Sequence, residues 1–222
     1  MHTDFSDGLN SPEEMILAAI ELGYKKIAIT DHANKESDWL DRYILTINNL
    51  KDKYKNYIEI LLGIEVKIID LKGNIDLNEK YFNSFNTILA SIHKIPKGNG
   101  QFVQTSDIYQ NNKDMFLLYK KAIVGAMNNS SITVIAHPFS FWKLFSSLMD
   151  KKYFEWIREL FLENQKYIEY NTKKYCPLIP DNWWKTIDKS KIWLGSDSHS
   201  VKDMIDEYKN ICNFTEKMKM EN

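Results

Sequence analysis

Lys26-Ile27-Ala28-Ile29-Thr30-Asp31-His32 is a short, nearly continuous apolar run that ends on an acid and a histidine. Runs of this length without polar alternation mark strands buried on both faces, as in parallel sheets. The design recurs in residues 59–66 (EILLGIEV), 87–92 (TILASI), 132–136 (ITVIA), 167–171 (YIEYN) and 192–196 (IWLGS). Amphipathic patterns between these runs predict helices over 38–54, 114–128, 150–164 and 201–218, with a weaker one over 181–188. Strands alternating with helices predict an α/β fold with a parallel sheet, as one domain over residues 1–222. No glycine-rich phosphate loop follows any strand, so a (β/α) barrel is preferred to a doubly wound sheet.

An opening helix is signalled by local chemistry. Ser11 is placed as N-cap, Pro12 at the first helical position and Glu14 as the partner in an S-x-x-E capping box. Met15, Ala18, Ala19 and Leu22 then share a face, and Gly23 ends the helix.

Composition excludes several classes of function. Lys and Arg number 29 against 30 Asp and Glu, so no net positive field exists to hold nucleic acid or an anionic membrane. Arg42 and Arg158 are the only arginines, which favours lysine-led binding of a phosphate, with Lys94 and Lys143 as candidates. Cys176 and Cys212 are neither a disulfide framework nor a CxxC pair. No apolar run reaches the roughly 18 residues of a membrane helix, and the first residues lack a signal pattern, so a cytoplasmic protein is expected.

The histidines carry the strongest functional signal. His32, His93, His137 and His199 each follow a candidate strand, and His2 opens the chain. Sites in barrels are built from loops at the C-terminal ends of strands, so these segments should converge on one mouth. Asp7, Glu65 and Asp197 fall among them. Imidazole and carboxylate together suit Zn²⁺, Mn²⁺ or Fe²⁺. Eight candidate ligands (His2, Asp7, His32, Glu65, His93, His137, Asp197, His199) exceed the needs of one ion and suit two or three. Phosphoester hydrolysis fits such a centre best.

The motifs His2-Thr3-Asp4-Phe5-Ser6-Asp7-Gly8, Ile29-Thr30-Asp31-His32, Gly63-Ile64-Glu65, Ala90-Ser91-Ile92-His93, Ala136-His137-Pro138 and Gly195-Ser196-Asp197-Ser198-His199 resemble, in order, those of the PHP (polymerase and histidinol phosphatase) superfamily. The resemblance implies a distorted (β/α)7 TIM-like barrel with a trinuclear metal site at its C-terminal mouth. It also implies hydrolysis of a small phosphate ester, in the manner of a histidinol phosphatase, by a metal-bound hydroxide. All eight residues match family ligand positions, with Glu65 as a bridging carboxylate and Glu65, Asp197 and His199 as the catalytic set. The family opens with His-x-His at the end of its first strand, whose first histidine would fall one place before Met1. The first strand is thus expected to be missing from this chain, through a start placed too late or a truncation that weakens catalysis. The segment 138–143 (PFSFWK) departs from the Asp and Arg pattern of the histidinol phosphatases. Nucleotide or oligonucleotide phosphates, or a metal-binding regulatory module, are the alternatives.

Other residues have functional and structural readings. Glu169 and Asn171 either orient a metal ligand, touch substrate, or make ordinary loop hydrogen bonds. Trp183 and Trp184 either stack on a substrate ring or pack outer helices. Residues 96–101 (PKGNGQ) form a lid or a surface turn, and the lysine-rich 209–222 tail is a solvated helix end.

Overall fold

A computed structural model describes residues 1–98, 100–173 and 178–220. Helix α1 (Pro12–Glu21) begins with the expected capping box: the Ser11 side chain accepts from the Glu14 amide while the Glu14 carboxylate accepts from the Ser11 N–H at 2.8 Å. It ends at Gly23, whose φ of 84° lets the Tyr24 N–H turn back to the Ala19 carbonyl at 3.0 Å. Strand β1 (Lys26–Ile29) and the two-residue β2 (His32–Ala33) follow, then α2 (Leu40–Tyr54) and the long β3 (Glu59–Lys67). Next come β4 (Thr87–Ser91), a hairpin of β5 (Pro96–Gly98) and β6 (Gln101–Phe102), and helices α3 (Thr105–Gln110) and α4 (Asn112–Asn128). Strand β7 (Val134–Ile135), α5 (Trp142–Phe145), α6 (Lys151–Glu163), β8 (Tyr167–Asn171), α7 (Asp181–Trp184), β9 (Ile192–Gly195) and α8 (Val201–Met218) complete the chain.

The main sheet runs β1-β3-β4-β7-β8-β9, with β2 extending β1 along β3. Every pairing in it is parallel, so the α/β barrel-like reading holds. All six predicted runs became strands, and five of the helices lie where amphipathic patterns placed them. Helix 181–188 stops early at Trp184, where Lys185 and Thr186 turn the chain. Segment 96–101 is a hairpin rather than a bare loop: Gly98 and Gly100 take φ of 92° and 70°, and Lys97 is tied to Asp107 of α3 at 2.6 Å. Asn99, Cys176 and the last two tail residues lie outside the described residues.

Among the described residues β1 and β9 are the two ends of the sheet path. Residues 1–3 link their C-terminal ends. The Met1 carbonyl accepts from the Thr30 N–H at 2.9 Å, and the His2 N–H donates to the Ser198 carbonyl at 2.8 Å. A cavity of about 600 Å³ opens between these strands and reaches Glu65 and Glu169. No described helix is long and apolar enough to cross a membrane.

The core is aliphatic on the sheet and aromatic under the outer helices. Ile27, Ile29, Ile60, Leu62, Ile64 and Ile88 are buried in the strands. Trp184 is fully buried and meets Phe139, Tyr170 and Phe214 edge to face, while the Trp183 indole donates to the Phe154 carbonyl at 3.0 Å. The tryptophan pair therefore packs helices on the sheet.

One close approach holds the loop after β3. Gly73 (φ 84°) rests on Gly125 of α4, where a Cβ would lie 2.4 Å from the Leu71 carbonyl oxygen and 2.7 Å from the Gly73 nitrogen. Backbone cannot swing away as a side chain can. Gly125→Ala is therefore expected to destabilise the fold by about 1–3 kcal/mol, the usual penalty for overpacking. Thermal unfolding checks this, and an unchanged midpoint would show that the loop yields freely.

Candidate metal centre

Register and strand ends deliver the site. His32 of β2 pairs directly with Glu65 of β3, so these two lie side by side at the top of adjacent strands. His93, His137 and Asp197 each lie two residues beyond the ends of β4, β7 and β9, and His199 sits just before α8. Two of these turns are tight: His137 has φ of 30° and Asp197 of 50°, both in the left-handed region that side-chain-bearing residues seldom adopt. The opening loop is pinned by Asp31, which is fully buried and accepts from the Thr3 N–H (2.7 Å), the Thr3 hydroxyl (2.8 Å) and the Ser6 hydroxyl (2.7 Å). Asp31 thus serves the loop that carries His2 and Asp7.

The eight residues fall into three overlapping groups whose donor atoms lie within 4.8 Å of one another: His2, Asp7, His32 and His199; Glu65, His93 and His137; and His2, Glu65 and Asp197. Glu65 is the hub. Its Oε1 lies 3.1 Å from His137 Nε2, 3.3 Å from His93 Nε2 and 4.0 Å from His32 Nδ1, and its Oε2 lies 3.7 Å from His2 Nε2. His2 Nε2 also approaches Asp197 Oδ1 at 3.2 Å, while Asp7 Oδ2 is 3.8 Å from His32 and 3.4 Å from His199. The His2 ring stacks against those of His32 and His199, with centroids at 4.1 and 4.4 Å.

Electrostatics follow from this crowding. Burial would raise the Glu65 carboxyl, but hydrogen bonds from His137 and His93 and the charges of His137 and His2 hold it well below the usual range. Burial opposes a charge on His137, yet its bond to Glu65 and the surrounding carboxylates raise it. His32, lacking so close a partner, is lowered by burial. Glu169 is pushed up to about 7, by burial first, against the pull of His137 and with the repulsion of Glu65.

The arrangement suits divalent cations. Carboxylates, of which Glu65 is buried and Asp7 exposed, form with the imidazole nitrogens a borderline-hard donor set, and among the described residues His2 Nδ1 is buried without a hydrogen-bond partner. His137 Nδ1 is oriented by the Ser140 hydroxyl at 2.7 Å and His199 Nδ1 by the Asp197 carbonyl at 2.9 Å, as ligating histidines are commonly held.

Beside the cluster lies a hollow of about 430 Å³ lined by Asp7, His32, Glu65, Lys67, Asp76 and His93 among others. Lys94 and Lys143, the lysines singled out in the sequence, are exposed and do not line it. Lys67 does. It lies two residues beyond Glu65 on β3 and so on the same face, with Asp76 at 3.6 Å and the Phe102 ring at 5.2 Å. Strand alternation from Glu65 was the signal that would have found it.

A match to the PHP domain family model spans residues 1–173, which is more than half of the chain. The chain belongs to the PHP family. A probable phosphatase of Thermoanaerobacter sp. (strain X514) is 32% identical over 54% of this chain and 44% of its own length. The DNA polymerase/3'-5' exonuclease PolX of Bacillus subtilis is 28% identical over 62% of this PHP chain and 22% of that protein. This chain therefore spans less than half the length of those two relatives. Among solved structures, a Listeria monocytogenes protein described as a histidinol phosphatase superposes with a TM-score of 0.72 at 22% identity, covering 94% of this chain and 97% of that one. A Lactococcus lactis histidinol phosphate phosphatase, solved with zinc, L-histidinol and phosphate, gives 0.69 at 18% identity over 100% and 92%. Likeness at that identity speaks for a shared PHP fold.

Proposed function

We propose that this PHP chain hydrolyses a small phosphate monoester at a centre of two or three divalent ions, Zn²⁺, Mn²⁺ or Fe²⁺. The observation that carries the proposal is the sharing of donors: Glu65 belongs to two of the three donor groups and His2 to two, so these residues would hold ions close to one another. Ions so held supply Lewis acidity to a phosphoryl oxygen and bring the pKa of water toward neutrality.

The chain's own residues bind and orient. His2, Asp7, His32 and His199 make one ligand set, Glu65, His93 and His137 a second, and Asp197 joins His2 and Glu65 in the third. Glu65, Asp197 and His199 are assigned as the catalytic set: Glu65 lines the hollow, and Asp197 and His199 would each hold an ion within a donor group that contains His2. Lys67 supplies the cation that holds the substrate's phosphate, and Lys94, exposed beside His93, meets the outer part of the substrate. Lys143, exposed on α5, is the more remote candidate. A hollow of about 430 Å³ admits a small ester and not a duplex. The zinc, L-histidinol and phosphate bound by the Lactococcus lactis neighbour support this substrate class.

The test is Mn²⁺-dependent phosphate release from an aryl phosphate. His199→Ala is expected to abolish turnover while the fold persists, and Lys67→Ala to raise KM about tenfold with kcat nearly kept, as for lost uniform binding. Retained turnover in His199→Ala sinks the proposal. Metal binding by the unmodified chain without turnover on aryl phosphates or short oligonucleotides would favour a regulatory metal-binding module instead.

A further inference from the structure

We propose that Glu169 is the positioning residue for His137, its buried carboxylate fixing the histidine's main chain so that the ring lies on Glu65, and that Gly195 is glycine to admit that carboxylate. The inference rests on the reading of the cluster as a metal centre.

Glu169 occupies an adverse place for an acid. It is 4% exposed, on β8, in the same interior as Glu65 and Asp197. Among the described residues it joins none of the three donor groups. Its Oε2 instead faces main chain, accepting the His137 N–H at 2.5 Å, while Oε1 accepts from Asn171 Nδ2 at 3.4 Å. The need for that acceptor comes from the sheet. The Ala136 N–H still donates to the Ala90 carbonyl as part of the ladder, but one residue later the chain turns to φ of 30° and the His137 N–H leaves the sheet. A buried N–H without an acceptor is rarely tolerated, and the Glu169 carboxylate meets it. The same turn aims the ring, placing Nε2 3.1 Å from Glu65 Oε1 and Nδ1 2.7 Å from the Ser140 hydroxyl. Without Glu169 the main chain is free to relax toward an ordinary φ and carry the ring off Glu65.

Gly195 is an independent sign of the same device. Its φ is not in the left-handed region, so backbone freedom does not call for glycine there. Space does: a Cβ would stand 1.8 Å from Glu169 Oε1 and 2.7 Å from its Cδ. Any side chain on Gly195 must therefore push the carboxylate from its place.

The experiment uses the full chain with Zn²⁺ as probe, titrated against a chromogenic chelator, together with the amide NMR spectrum of the metal-free protein. Glu169→Gln keeps an acceptor oxygen and is expected to bind within about threefold of the unmodified chain. Glu169→Leu and Gly195→Ala are expected to weaken one ion about 10- to 100-fold, as loss of a ligand's supporting partner does. His137→Ala should show the same loss, with nothing further added by Glu169→Leu on that background, because both act at one position. In metal-free protein the His137 amide proton, bonded to a carboxylate, should resonate far downfield, move part of the way back in Glu169→Gln, which keeps a neutral acceptor, and move furthest in Glu169→Leu. Gly195→Ala supplies the same readouts if Glu169→Leu does not fold. Undiminished affinity in Gly195→Ala, additive losses with His137→Ala, or an unmoved amide resonance overturns the inference. A chain that binds Zn²⁺ as described yet releases no phosphate would instead overturn the proposed hydrolysis and leave the role of Glu169 standing.

Discussion

Glu65→Gln is expected to lower phosphate release at least about 1,000-fold, roughly 4 kcal/mol of transition-state stabilisation. The substitution keeps the volume of a side chain that is 3% exposed, so its effect is one of charge and donor capacity rather than of packing. Glu65 approaches four of the five histidines within 4.0 Å, through both of its oxygens. A carboxylate can bridge two cations with those oxygens, whereas an amide offers one neutral acceptor and a donor that repels. Because two of the three donor groups contain Glu65, metal content after dialysis should fall by two ions for every three bound by the unmodified chain. His199→Ala, which touches one group, should cost a single ion. Elemental analysis beside the aryl phosphate assay makes this comparison, and a Glu65→Gln protein with full metal content would remove Glu65 from the centre of the scheme.

Stripping divalent ions with a chelator is expected to lower the thermal midpoint by roughly 8–16 °C. A ligand present at about 1,000 times its dissociation constant stabilises the native state by about 4 kcal/mol, and a chain of this size loses about 2–4 °C per kcal/mol. The local reason is electrostatic. Asp7, Glu65 and Asp197 are drawn together with five imidazoles, and Glu65 and His2 are almost fully buried. Cations give the buried donors Glu65, His2 and His137 partners in a region of low dielectric and add attraction at the more exposed Asp7. Differential scanning calorimetry at several free Mn²⁺ or Zn²⁺ concentrations should show the midpoint rising with ion concentration. A midpoint indifferent to the ions would mean that the donors meet for structural reasons only.

Much of the fold is legible in the sequence. Runs such as 27–29 and 60–64 are short, apolar at consecutive positions and rich in isoleucine, as strands covered on both faces are, so the parallel sheet followed. Ser11, Pro12, Glu14 and Gly23 marked the ends of α1 because caps satisfy specific orphan backbone groups through the nearest side chains. The sequence also placed acids and imidazoles at strand ends, where a parallel sheet must gather its loops. What stayed hidden depended on contacts between distant segments. The hairpin of β5 and β6 has too few apolar residues to show a period, and β2 exists because His32 and Ala33 find β3 beside them.

The same division holds at the site. Residue type and local order by themselves determined the fold class and the eight candidate ligands, because strand periodicity and donor chemistry are properties of short segments. Only the tertiary structure decided how those ligands divide into three groups, that Lys67 rather than Lys94 or Lys143 lines the hollow, and that Glu169 faces the backbone of His137 across the space left by Gly195. These depend on sheet register and on ångström-scale clearances between strands far apart in the chain, and no local pattern encodes a distance across a barrel.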